Sequence, residues 1–244
     1  VKYLGQPFDI HTGGVDLIFP HHTNEIAQSE AAKGKKLANY WMHNEHLIVN
    51  GEKMSKSLGN FYTLQDLIKK GYDPLSIRYE LMSTHYRQKM DFREDQLKNI
   101  PSTLRKFHDF LDKLDEIESK EYNKTVTELI SEAKENFEKA MDNDLNISGG
   151  LASIFNFMTE INKIEIGVEN ATEIKEFMDK IDSVLGIMEH TNEEVPKEIT
   201  ELANKREEAR KNKNWEEADR LRDEIKDKGY VLEDSDKGVR VKKV

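Results

Sequence analysis

From about residue 63 onward, apolar residues recur three to four apart, the period of helices that bury one face. The spacing predicts helices over 63–71, 74–83, 93–118, 124–142, 148–166 and 171–188, with Asn146-Ile147-Ser148-Gly149-Gly150 breaking two of them apart. Antiparallel helices on short connections read as a bundle. The first fifty residues have a different rhythm. Phe8-Asp9-Ile10-His11 and His46-Leu47-Ile48-Val49 read as strands, the first running into a His11-Thr12-Gly13-Gly14 loop and the second into an Asn50-Gly51 tight turn. Pro20 can open a helix over 21–33, which Gly34 ends. Residues 52–60 read as a polar loop closed by Gly59-Asn60, and Thr191–Pro196 as a linker. Beyond it, helices over 197–212 and 214–228 lead through Gly229 into strands Tyr230–Asp234 and Val239–Lys242, joined by a turn at Asp236-Lys237-Gly238. The expected class is mostly α with α/β parts.

Composition narrows this picture. Charged residues reach 34% against 36% hydrophobic, which suits helices with long solvated faces. No apolar run approaches the ~20 residues needed to cross a bilayer. Cysteine is absent, so neither a disulfide framework nor a complete cysteine-based metal site can form within the chain. The net charge of −10 is unevenly spread. Residues 1–100 hold 13 Lys/Arg against 12 Asp/Glu, residues 101–195 hold 10 against 22, and residues 196–244 hold 14 against 13. Phosphate binding depends on local contacts, so the two near-neutral ends permit RNA contact while the acidic middle disfavours it. The chain opens on Val1 and enters a strand almost at once, which reads as a domain entered mid-pattern.

Two constellations carry chemistry. The first is Lys53-Met54-Ser55-Lys56-Ser57, followed by Leu58-Gly59-Asn60. Two lysines three apart on a loop can set two ammonium groups beside a triphosphate, where fixed cations stabilise the charge that develops during adenylyl transfer. Lys56 is the first candidate for the ATP contact and Lys53 the second; Ser55 and Ser57 can add hydrogen bonds, and Gly59 lets the loop close. The second is Phe19-Pro20-His21-His22-Thr23-Asn24-Glu25. His21 and Glu25 stand four apart, so on a helix they share a face and can reach one zinc ion. From spacing alone the favoured reading is a helix-start histidine bonded to Glu25, and His11 and His22 compete for the ligand part.

The terminal segment gathers Arg206, Arg210, Lys211, Lys213, Arg220 and Arg222 near Trp215. Trp215, Ala218, Leu221 and Ile225 form a helical core stripe, which is the favoured reading of Trp215. The other reading is stacking on an unpaired base between phosphate-gripping arginines.

The lysine string matches the second signature of class I aminoacyl-tRNA synthetases. The run from Asp9 to Glu30, with His11-Thr12-Gly13-Gly14-Val15-Asp16 and Phe19-Pro20-His21-His22-Thr23-Asn24-Glu25, resembles the zinc-helix signature of the cysteinyl-tRNA synthetases. The resemblance continues through Tyr40-Trp41-Met42-His43, Arg78-Tyr79, Ser83-Thr84-His85-Tyr86-Arg87, Ala140–Asn146, Trp215–Asp219 and Gly229–Asp234, and so covers essentially the whole chain. Thr12 and Thr23 depart from the family pattern, which usually has a glycine and an acidic residue there.

The resemblance implies a protein that activates cysteine with ATP and magnesium and transfers it to the tRNA for cysteine. It implies zinc on His21 and Glu25, with two further cysteine ligands from outside this chain; His11, in the glycine loop after the strand, is a candidate for the amino-acid pocket, with a local turn role as the favoured alternative. A metal–sulfur bond would separate cysteine from serine by chemistry where size cannot. It divides the chain into a remnant of a Rossmann-like catalytic domain (1–50), a lysine-loop segment (51–95), a helical bundle (96–192) and a small α/β anticodon-binding domain (193–244); it does not name the tRNA contacts, for which composition offers Arg206, Arg210, Trp215 and Arg222. A cytoplasmic, monomeric setting without a membrane is expected, and a fragment inactive on its own. Two other functions stay open: a non-catalytic tRNA-binding module, and a related ligase that joins cysteine to an amino-sugar.

Overall fold

The structure is a computed structural model that describes residues 2–188, 196–235 and 238–243. The linker expected at 191–196 and the turn at 236–238 fall largely outside the described residues. The chain forms two compact units, Val1–Glu189 and His190–Val244.

The first unit opens with β1 (Phe8–Gly14), α1 (Thr23–Lys33) and β2 (Ala38–Asn44). β1 and β2 are parallel, with Phe8 opposite Ala38 and Gly14 opposite Asn44, so α1 is the crossover that parallel pairing requires. An irregular turn at Ile18–His22, interrupted by extended geometry at Phe19, precedes the helix, and Gly34 ends it in the left-handed region. β2 was not among the expected strands. Its apolar residues do not alternate cleanly with polar ones, and Tyr40 is 70% exposed.

β3 (Leu47–Val49) and β4 (Glu52–Lys53) form a hairpin, and β5 (Met90–Phe92) joins β3 in parallel. Asn50 and Gly51 both have positive φ, 51° and 78°, the backbone of the tightest hairpin turn. The helices follow: α2 (Leu64–Lys69), α3 (Pro74–Ser83), α4 (Ile100–Asp115), α5 (Thr125–Asp142), α6 (Ile147–Ile161) and α7 (Val168–Leu185). The single helix expected over 93–118 is shorter, because Pro101 fits the first turn and fixes the start. Nor does the Asn146–Gly150 run break the chain beyond Asn146. The Asn146 side chain accepts from Gly149 N–H and caps α6, which already contains both glycines. At Gly150 a Cβ would press on the Phe137 ring at 3.2 Å, so glycine there lets α5 and α6 approach closely.

The bundle core joins Leu104, Phe107 and Phe110 of α4 to Phe137, Ile154, Phe157, Ile174 and Phe177 of α5–α7. Phe107, Ile154 and Ile174 have no exposure at all. Burying side chains of this size contributes about 1.5–3 kcal/mol each before entropy is counted. α3 locks onto this bundle through Arg78, whose Nε donates to Leu185 O at 2.6 Å.

The second unit packs α8 (Lys197–Lys211), α9 (Trp215–Asp227) and the antiparallel hairpin β6 (Tyr230–Ser235) and β7 (Gly238–Lys243). Its core is Ile199, Leu202, Ala203, Leu221 and Ile225, with Tyr230, Leu232 and Val241 packed against it. No helix among the described residues is long and apolar enough to cross a membrane.

Candidate functional site

The βαβ start of the chain places histidines of β1 and of the turn before α1 around one carboxylate. In the parallel register His11 of β1 sits opposite Trp41 of β2, and their ring centroids are 4.6 Å apart. α1 sets Glu25 in its first turn. One oxygen of Glu25 stands 3.1 Å from His11 Nε2 and the other 3.4 Å from His21 Nε2. The oxygen facing His11 is buried and has no hydrogen bond of acceptable geometry, so its approach to the imidazole is close but not in line.

His22 is 3% exposed. Its Nδ1 lies 2.8 Å from His43 Nε2, so one of the two nitrogens carries the shared proton. Burial, and then the nearby His11, hold the His22 pKa below its ordinary value. Gly13 makes the room: a Cβ there would come within 2.6 Å of the His22 ring. Ligand atoms of His11, His22 and Glu25 all lie within 4.8 Å of one another, among the described residues the cluster able to hold a metal ion.

The expected pair, His21 and Glu25, is therefore in contact. The compact cluster, however, has His11 and His22 where the expectation had His21, whose side chain is 60% exposed. His43 and Trp41 complete the pocket wall. The sequence offered them only as part of a resembling string, because β2 gives a weak strand signal.

The lysine loop leaves the β3–β4 hairpin. Gly51 N–H is held by the Asp91 carboxylate at 2.8 Å, and Met54 packs against the core. Lys53 and Lys56 are exposed, and among the described residues neither has a carboxylate partner. The Ser55 and Ser57 hydroxyls face each other at 3.1 Å. A separate cleft of about 450 Å³, lined by Asn44, Leu47, Met82, His85 and Leu145 among others, includes neither the lysines nor the His11 cluster.

In the second unit the expected core stripe starts one turn late. Ala218, Leu221 and Ile225 are buried, but Trp215 is 60% exposed. It occupies the first position of α9, directly after the Asn214 cap, and side chains there lean back beyond the helix end. The favoured core reading of Trp215 is thus corrected. Arg206 and Arg210 pair with Glu207, and Arg222 with Asp219. Arg206 is mostly buried and Arg222 more than half exposed.

Three family descriptions match the chain: tRNA synthetases class I (C) catalytic domain over residues 1–102, a DALR domain over 136–189, and the cysteinyl-tRNA ligase anticodon binding domain over 192–241. Among curated relatives, the cysteine–tRNA ligase of Protochlamydia amoebophila is 43% identical over 246 residues, covering 98% of this chain and 52% of the relative. That of Chlamydia pneumoniae is 44% identical over 249 residues, covering 99% of this chain and again 52% of the relative. The chain thus spans about half the length of the curated relatives it matches. Solved structures share the fold. A leucyl-tRNA synthetase from Agrobacterium radiobacter in a ternary complex superposes with a TM-score of 0.53 at 16% identity, over 64% of this chain and 22% of that one. A Mycobacterium tuberculosis methionyl-tRNA synthetase bound by methionyl-adenylate gives 0.51 at 19% identity, over 65% of this chain and 34% of that one.

Proposed function

We propose that the chain is part of a cysteinyl-tRNA synthetase and carries the lysine loop, part of the metal site and the tRNA-reading unit of a cytoplasmic enzyme that ligates cysteine to its tRNA. The observation that carries this reading is the 43% identity over 98% of the chain, which runs through a catalytic, a bundle and an anticodon-binding segment alike.

In this reading the cysteine carboxylate attacks the α-phosphorus of ATP, releasing pyrophosphate, and the terminal ribose hydroxyl of the tRNA then takes the cysteinyl group. Lys56, with Lys53 beside it, meets the triphosphate entering with magnesium and stabilises charge on the departing pyrophosphate. Ser55 and Ser57 line the same loop. His21 and Glu25 are the proposed zinc ligands, with His11 at the amino-acid pocket. Imidazole nitrogens and a carboxylate are zinc donors, and the buried Glu25 oxygen without a hydrogen bond faces His11, inside the compact set of His11, His22 and Glu25, while His21 faces the other Glu25 oxygen. When bound, zinc supplies a thiolate-selective grip on the substrate. His43 holds the buried His22 ring in one orientation through its shared proton, and Trp41 covers the histidines and limits water. In the second unit, Trp215 offers an exposed ring for base stacking, with Arg210 of α8 and Arg222 of α9 beside the RNA backbone and Arg206 bracing α8.

The anticodon-binding match over 192–241 favours a tRNA substrate over an amino-sugar acceptor. The test is ATP–pyrophosphate exchange by a longer protein that joins this chain to the remaining half of its relatives. Cysteine-dependent exchange that fails with serine, is lost with a zinc chelator, and falls roughly hundredfold in Lys56→Ala is expected. Specific tRNA binding without exchange for any amino acid would leave a non-catalytic tRNA-binding module instead.

A further inference from the structure

We propose that Asn60 is a positioning residue that holds the lysine loop as a closed ring and so sets Lys53 and Lys56 for phosphate; this rests on the proposed role of those lysines. Asn60 closes the loop from both sides. Its Oδ1 accepts from Ser55 N–H at 2.8 Å, and its Nδ2 donates to Lys53 O at 3.2 Å. Only the carboxamide orientation with oxygen toward the N–H and nitrogen toward the carbonyl satisfies both groups. An aspartate would set a second oxygen against the Lys53 carbonyl, and a serine is too short to span both.

Inside this clamp the loop satisfies itself. Leu58 N–H donates to Ser55 Oγ at 3.3 Å, Ser55 Oγ shares a proton with Ser57 Oγ, and Gly59 N–H donates to Lys56 O at 3.2 Å. Gly59 has φ of 67°, which brings the chain back toward its start. The polar atoms turn inward while both lysines stay exposed. The Lys56 ammonium lies 5.5 Å from the Phe61 ring centroid, a contact that leaves its hydrogen-bond donors free.

The division of labour is therefore specific. Ser55 is a strut of the ring, Asn60 is the clasp, and the cations are the groups presented. Prepaying the ordering of the loop in this way lowers the entropy lost when an anion with several phosphates is gripped. The signal was present in the sequence, since Asn60 follows the glycine that closes the motif, but its role depends on a cross-loop contact that spacing alone does not reveal.

The experiment uses the 244-residue chain with inorganic tripolyphosphate as probe, reading affinity by titration and loop order by amide exchange. Lys53→Ala and Lys56→Ala should each weaken tripolyphosphate. Asn60→Ala, with both lysines intact, should weaken it about fivefold, the worth of one net hydrogen bond, and speed exchange at the Ser55 amide about tenfold. The melting temperature and the protection of the bundle amides should not change. A merely structural contribution would shift melting and leave affinity per folded molecule as it was. Wild-type affinity or an unchanged Ser55 exchange rate in Asn60→Ala overturns the inference. If the lysine variants bind tripolyphosphate as well as wild type, the fault lies with the lysine reading itself, and the inference falls with it.

Discussion

At the scale of single residues, the segment that follows the lysine loop is anchored by one carboxylate. Glu94 accepts from Lys70 Nζ at 2.7 Å and from the Tyr72 hydroxyl at 3.0 Å, and the Lys70 ammonium sits 4.5 Å from the Tyr62 ring. The bond from Lys70 holds the Glu94 pKa below its usual range against the opposing effect of burial. The bond to Glu94 raises Lys70 in turn. A depressed carboxylate adds stability above its unfolded pKa and loses it as pH falls through its folded one. A raised ammonium adds stability below its unfolded pKa and loses it as pH rises through its folded one. The pair therefore works between roughly pH 5 and 10. Lys70 is nearly half exposed, so solvent screens the gain. Glu94→Gln should lower the urea midpoint by about 0.3 M at pH 7. Its midpoint should also fall less steeply than that of wild type between about pH 5 and 3. Parallel acid limbs for the two proteins would show that the pair carries no pH-linked stability.

At the scale of elements, what could be read from the sequence depended on whether the signal was local. The Asn50-Gly51 turn and the Gly34 stop each declare themselves in one or two residues and are found as expected, and the helix expected from residue 74 begins there. α3 shows why. Asp73 accepts from Ser76 N–H at 2.8 Å and from the Ser76 hydroxyl at 3.1 Å, and Pro74 fits the first turn, where no N–H is needed. Ser76 is buried, so Asp73→Ala removes a cap and strands a buried hydroxyl. It should cost about 1–2 kcal/mol in urea unfolding, while Asp73→Asn should keep most of the stability. Equal losses in the two variants would assign the effect to charge and not to the cap. β2 and β5 escaped because their identity lies in partners far along the chain: β5 is three residues long and is a strand only beside β3. For the same reason the site was half legible. The His21 and Glu25 pair can be read from a spacing of four, whereas the approach of His11, His22 and His43 requires the parallel register of β1 on β2. Trp215 misled because the period of three to four was extended one step past the first turn of its helix.

At the scale of the whole molecule, the two units differ in how far each can support itself. The bundle has a large aromatic core, whereas the β1–β2 pair beside it leaves Ile10, Phe19 and Tyr40 more than half exposed. Parallel strands are ordinarily covered on both faces, so this pair has apolar surface that the described residues leave exposed. Among the described residues the second unit centres on a cluster of five buried apolar side chains, and a core of that size leaves little stability to spare. Leu221 is 3% exposed there, between α8 and the hairpin. Leu221→Ala should cost about 2–5 kcal/mol, comparable to the entire stability of such a unit. The expected result is loss of amide protection throughout α8, α9 and the β6–β7 hairpin, with the α4–α7 amides exchanging as slowly as in wild type. Under the proposed function, binding of the tRNA for cysteine should fall with that protection, while the affinity of the lysine loop for tripolyphosphate stays unchanged. Loss of protection in both units at once would mean that they unfold as one cooperative body, and the assignment of RNA reading to a separable unit would fail.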